Sequence, residues 1–255
     1  MSLTDSDRNR RNILDSSWES IRLDATIVCA EIEEAQPFLD ELVNPEPTIR
    51  IGAEDRHTQS FTRGTLNNRD VLIIVAGVGL VNAAAAATHA LALFDPAIVI
   101  CAGTTGGLHE DVEIGDIIVS SAATYHDADA TAFGYLPGQI PGMPPAYVAS
   151  ESAMMKAQGL ARQSARKVRV GGIVSGDSFI TAKNVDTIRQ RFPEALATDM
   201  ETVAIAQICD SLGRSWVSIR SVSDLCGPKA HQDYHMETPR AAALSFESVR
   251  AFLAL

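Results

Sequence analysis

Cations are scarce in this chain. Its 255 residues carry 21 Lys and Arg against 32 Asp and Glu, a formal net charge of −11. Duplex nucleic acid needs a basic footprint. The one basic cluster, Arg8 to Arg11, is diluted by Asp5, Asp7, Asp15 and Glu19 and reads as a solvated segment. Long apolar runs are missing too. The most apolar stretch, residues 83–103, is broken by His89, Asp95 and Pro96, so no membrane span is expected. Only four cysteines occur, Cys29, Cys101, Cys209 and Cys226, with no C-x-x-C spacing. That excludes a disulfide framework and suits buried thiols in a reducing, cytoplasmic setting. The first twenty residues are polar, and no secretory leader is expected. The histidines lack metal-ligand spacing, and His126 with Asp127 and Asp129 makes a poor metal set. No metal and no cofactor is expected. No serine stands in a G-x-S-x-G elbow. The dinucleotide fingerprint is also incomplete: Gly77 and Gly79 precede a helix, but Asn82 takes the third glycine's place.

What is present is an alternation of strand and helix patterns. Residues 1–24 read as a flexible extension and 25–255 as one domain. Strands are expected at 25–30, on both sides of a turn at Asn67-Asn68-Arg69, and at 97–103, 115–125, 167–176 and 215–222. Helices are expected at 31–43, with Pro37 kinking or delaying the start, and at 80–94, 149–163 and 183–191. Residues 194–213 read as mostly helical. A last helix should open at Thr238 as N-cap with Pro239 at N1. Residues 136–147 hold too many prolines and glycines for regular structure. This order predicts an α/β fold with a mixed, largely parallel sheet.

Several strand ends carry polar residues, and ligand crevices in open α/β sheets lie beyond carboxyl ends of strands. Asp224 ends the run "WVSIRSVSD" just before Gly227 and Pro228. "CAGTTGGL" opens an apolar strand into glycines and threonines that can approach a ligand. Asp199, Met200 and Glu201 sit at a strand-to-helix corner, where a carboxylate can cap the helix or take two hydroxyl donors from a ribose. Glu31, Glu33 and Glu34 follow the first strand; an inward-turned member of that set would be a candidate base.

Taken together these stretches resemble the nucleoside phosphorylase and nucleosidase superfamily, and within it the 5′-methylthioadenosine/S-adenosylhomocysteine nucleosidases. The run "YHDADATAFGYLPGQIPG" (125–142) is the most distinctive; "GGLHEDVEIGDIIVS", "IVSGDSFI" and "VSIRSVSD" agree with it. The resemblance spans about residues 25–255. It implies a three-layer αβα sandwich around a twisted mixed sheet, and a homodimer in which each pocket is completed by a partner loop around Phe133 and Pro141. It further implies that Asp224 protonates N7 of adenine and that Glu34 activates the attacking water. Glu201 would grip the ribose hydroxyls, with Met200 beside the sugar. Phe179 would stack on adenine, the Ile180 backbone would bond the base edge, and Thr104, Thr105, Gly106 and Ser223 would line the crevice. Tyr234 falls where the family packs an aromatic ring on the ribose and thioalkyl arm.

The resemblance also bears on the nucleophile. Many phosphorylases of the superfamily carry an arginine where this chain has Cys101, and another after the first strand, where this chain has "CAEIEEA". Phosphate beside Glu34 would then meet like charge, which favours water. Alternative readings are a futalosine or adenosine hydrolase of the same fold, a phosphate-dependent phosphorylase, and a noncatalytic nucleoside-binding protein. The chain departs from the family at Cys29-Ala30-Glu31 (usually Gly-Ala-Met), at Asp199 (usually Glu), at Thr202-Val203 and at the hydroxyl of Tyr234, which bears on the 5′ substituent.

Overall fold

The computed structural model of the chain describes residues 21–53 and 56–255. Among the described residues twelve strands appear in chain order: β1 Ile21–Leu23, β2 Ala25–Cys29, β3 Ile49–Ile51, β4 Gln59–Leu66, β5 Arg69–Val75, β6 Phe94–Pro96, β7 Val99–Gly107, β8 Ile117–Tyr125, β9 Tyr147–Val148, β10 Val168–Ser175, β11 Ala195–Asp199 and β12 Trp216–Asp224. The helices are α1 Ile32–Asp40, α2 Leu80–Leu93, α3 Glu151–Gln163, α4 Val185–Arg191, α5 Thr202–Ser211 and α6 Ala230–Ala254.

The layers follow from how the apolar strands divide their side chains. Successive residues of a strand point to opposite faces. On β7, Val99 and Cys101 enter one core while Ile100 and Ala102 enter the other; on β5, Leu72 and Ile74 part from Val71 and Ile73 in the same way. Continuous apolar runs therefore need cover on both sides. On one face lie Ala83, Ala86, Ala87 and Ala90 of α2 with Val203 to Ala206 of α5. On the other lie Phe38 of α1, Ala157 and Leu160 of α3, and Val249 and Phe252 of α6. The result is the three-layer αβα sandwich.

The sheet runs in the order β11-β10-β8-β12-β7-β2-β5-β4-β3. Parallel pairing joins β5, β2, β7 and β12, and separately joins β8, β10 and β11. The two groups meet antiparallel, at β12 with β8 and again where Gly106 and Gly107 of β7 pair with Thr198 and Ala197 of β11. This second junction closes β7, β12, β8, β10 and β11 into a ring. The sheet is mixed as expected, yet less parallel than the strand-helix alternation suggested. Asn67 and Asn68 turn β4 into β5 with φ of 49° and 60°, the left-handed pair of a two-residue hairpin.

Four further expectations change. Residues 195–199, read as helix, are strand β11, because hydrogen bonding to both β10 and β7 overrides the helical preference of Ala and Leu. The last helix starts at Ala230 rather than at Thr238 and runs through Pro239; the Thr238 hydroxyl donates to the Tyr234 carbonyl inside it. Pro37 likewise stands inside α1, which begins at Ile32 without delay. Of the expected flexible extension, residues 1–20 lie outside the described residues, whereas Ile21–Leu23 is a strand parallel to β6. Among the described residues no helix is long and apolar enough to cross a membrane.

Candidate active site

Beyond the carboxyl ends of β2, β7, β11 and β12 lies a cavity of about 260 Å³, lined by Glu31, Glu34, Thr104, Thr105, Gly106, Phe179, Ile180, Met200, Glu201, Ser223, Asp224 and Tyr234 among others. Every pocket residue expected from sequence is there except Phe133 and Pro141. These two stand in the exposed segment after β8, with Phe133 84% exposed.

Glu34 is placed by the start of α1. Residues at the third position of a helix can reach back to the N-cap, and Glu34 Oε2 accepts the Ala30 N–H (3.0 Å) and the Glu31 N–H (3.3 Å). Its Oε1 accepts the Thr104 N–H (2.7 Å) and the Thr104 hydroxyl (2.9 Å). All four partners are donors, the set that an ionised carboxylate requires. Gly103 makes room: a Cβ there would lie 2.4 Å from the Glu34 carboxyl carbon, and its φ of +135° disfavours any side chain. Ser245 of α6 holds that glycine from below, accepting its N–H at 3.0 Å and donating to the Ile219 carbonyl at 2.8 Å.

Asp224 sits at the last residue of β12. Its Oδ1 accepts the Cys226 N–H (2.9 Å), and the Ser223 hydroxyl donates to Oδ2 (3.1 Å). Burial pushes its carboxyl above the ordinary 3.8, and the nearby Asp233 adds to the rise, against the pull of those two donors. At Gly106 a Cβ would stand 2.7 Å from the Cys226 sulfur and 3.4 Å from Asp224 Oδ1. The glycines of "CAGTTGG" thus serve two acids, about 10 Å apart along one strand.

The corner after β11 divides its two acids. Asp199 spends its oxygens on protein donors: the Ser175 hydroxyl (2.6 Å), the Thr202 N–H (3.2 Å) and the Thr202 hydroxyl. Glu201 faces the cavity. Its Oε1 accepts the Gly79 N–H (3.0 Å), which is the role of the G-x-G turn before α2. Burial pushes the Glu201 carboxyl up, and the Arg220 guanidinium beside it pulls the other way.

Arg220 is the residue that sequence reasoning missed. It is 1% exposed in the middle of β12. Its guanidinium donates to the Thr104 carbonyl (2.7 Å), to the Cys101 sulfur (2.9 Å) and to Glu201 Oε2 (3.0 Å), and its Nε lies 2.8 Å from Asp199 Oδ2. Burial disfavours its charge, but Asp199 and Glu201 hold the proton on. An arginine amid an apolar strand was the available signal, since such a residue is rarely buried unless paired. Among the described residues no cluster of His, Cys, Asp or Glu is arranged to hold a metal ion.

A mixed sheet covered on both faces, with an acid-rich pocket at its strand ends, defines an α/β protein built to hold a small polar ligand. The comparisons narrow that class. The phosphorylase superfamily model matches residues 24–254, and the chain belongs to that family. The 5′-methylthioadenosine/S-adenosylhomocysteine nucleosidase of Staphylococcus carnosus is 41% identical over 194 residues, covering 76% of this chain and 85% of that one. The solved nucleosidase of the same name from Neisseria meningitidis, in complex with methylthio-immucillin-A, is 32% identical with a TM-score of 0.83, covering 91% of this chain and 99% of that one. Its counterpart from Colwellia psychrerythraea, in complex with adenine, is 31% identical with a TM-score of 0.82, covering 93% and 96%.

Proposed function

We propose that this protein hydrolyses the N-glycosidic bond of 5′-methylthioadenosine and S-adenosylhomocysteine, releasing adenine. The observation that carries the reading is one cavity shared by two carboxyls in opposite surroundings: Asp224 with its affinity for a proton raised, Glu34 ringed by donors. Such a divergent pair is the signature of an acid and a base.

Asp224 gives a proton to N7 as the C1′–N9 bond breaks and its electrons enter the purine. Glu34 takes the proton of the water whose oxygen bonds to C1′. Glu201 receives the 2′- and 3′-hydroxyls, held in place by Gly79 and Arg220. Met200 packs beside the sugar, and Phe179 and the Ile180 backbone take the base. Thr104, Thr105, Gly106 and Ser223 shape the wall between. The oxocarbenium-like sugar is favoured by the surrounding acids.

Water rather than phosphate suits this pocket. Arg220 is the cation that lines it among the described residues, and two acids, a carbonyl and a sulfur already engage it. A homodimer accounts for Phe133, Leu136, Met143 and Val148, apolar side chains left exposed between β8 and α3, with Phe133 and Pro141 reaching a neighbour's pocket. The buried, unpaired thiols agree with a cytoplasmic setting. Incubation with methylthioadenosine, with and without phosphate, tests the whole reading. Free adenine and a reducing methylthioribose are expected in both; a sugar 1-phosphate would make the protein a phosphorylase.

A further inference from the structure

The cavity wall holds a polar pair with no part in the chemistry above. Glu31 and Tyr234 both line it, and the Tyr234 hydroxyl donates to Glu31 Oε2. The two residues come from opposite ends of the chain, one from the N-cap of α1 and the other from the first turns of α6. Their place relative to a bound nucleoside follows from stereochemistry and rests on the proposed function. Tyr234 packs edge-on against Phe179, ring centroids 5.7 Å apart at 75°, so it stands on the base side of the sugar. In a β-nucleoside the base and C5′ project from the same face of the ribose. The 5′ arm therefore leaves toward Tyr234 and Glu31, away from Glu34.

The chemistry there is acidic. Among the described residues, Glu31, Glu34, Asp199, Glu201 and Asp224 line the cavity against one cation, Arg220. Arg220 is already engaged by Asp199 and Glu201, so it does not neutralise Glu31. Tyr234 keeps its phenolic proton, because burial and then the bond to Glu31 push its titration far above the ordinary range. The phenol thereby pins one oxygen of the carboxylate, and a carboxylate accepts several further hydrogen bonds. A methyl thioether offers it none, whereas an ammonium group offers donors and a charge, the stronger kind of bond.

We propose that Glu31, oriented by Tyr234, selects nucleosides whose 5′ arm ends in an ammonium group over those with an apolar arm of equal size. Within the proposed reaction, the pair thus favours aminoalkyl and amino-acid arms over apolar arms of the same size.

The test compares 5′-aminoethylthio-5′-deoxyadenosine with its uncharged isostere, 5′-propylthio-5′-deoxyadenosine. Wild-type protein should turn over the amine with the higher kcat/KM. Glu31→Gln should cut that ratio by at least about tenfold, equivalent to about 1.4 kcal/mol. Tyr234→Phe, which leaves the carboxylate but frees it to turn, should cut it by less. A wild-type preference for the propyl arm, or a ratio unchanged in Glu31→Gln, overturns the proposal. The ratio of dissociation constants for the two nucleosides, measured calorimetrically on Asp224→Asn protein, reads the same preference without turnover. Absence of cleavage with every substrate would thus refute the hydrolase reading, while arm selection is judged separately by binding.

Discussion

Asp224 and Glu34 are equally hidden, each 2% exposed, and they look into the same cavity. Their surroundings differ in how many donors reach them. Glu34 accepts four hydrogen bonds, three from backbone N–H groups at the junction of β2, α1 and β7. Asp224 accepts one backbone N–H and one hydroxyl, with a further acid, Asp233, nearby. Burial pushes the Asp224 carboxyl toward its neutral form, with few donors to oppose it. The number of donors differs between the two sites, and it is set largely by backbone geometry. A helix N-terminus folded over a glycine gives one acid its donors. A strand that simply ends gives the other few.

Replacing each carboxyl with an amide should expose that asymmetry. The largest expected effect is on turnover. Asp224→Asn removes the transferable proton, and kcat for adenine release should fall by about 10²–10⁴ while nucleoside still binds; near-normal turnover would contradict the acid role. Glu34→Gln should lower kcat over a similar range. It should also destabilise the fold by about 1–3 kcal/mol in thermal or urea melts, because an amide NH₂ then faces protein donors.

A second comparison concerns the glycines. Gly103→Ala drives a Cβ into the Glu34 carboxyl at a backbone φ of +135°, whereas Gly106→Ala presses first on the Cys226 sulfur, a softer neighbour. Activity should fall further in the first variant, and a reversed order would show that the acid, not the base, tolerates less displacement. The smallest effect is on stability against pH. The folded-state titration of Asp224 lies above 3.8, so ionising it costs the native state above that value. Below 3.8 the group is protonated folded or unfolded, and no cost arises. Asp224→Asn should therefore melt higher than wild type at neutral pH, and the difference should vanish as pH falls below about 4. A constant difference across that range would mean that Asp224 does not carry the cost.

Much of the fold was readable in the order of residues. Short apolar, β-rich runs marked strands β2, β5, β7 and β12, and the Asn67-Asn68 pair marked a turn whose backbone is left-handed. What misled was local preference set against distant pairing: Ala195–Asp199 looks helical until β10 and β7 supply its hydrogen bonds, and Pro239 looks like a helix start until the residues from Ala230 onward are seen to be helical.

The site shows the same division. Residue type and position at strand ends determined which acids could act, because carboxyl ends of strands are where a covered sheet opens to ligand. Pairing across the chain decided what each acid became. Asp199 was claimed by Ser175, Thr202 and Arg220, leaving Glu201 to the cavity. Arg220 gained its partners only when β7, β11 and β12 came together, since residues 101, 104, 199 and 201 are far from it along the chain. A sequence names the groups that can carry a proton or a charge. The donors and counter-charges that decide whether they do so arrive through space, from segments that only folding makes neighbours.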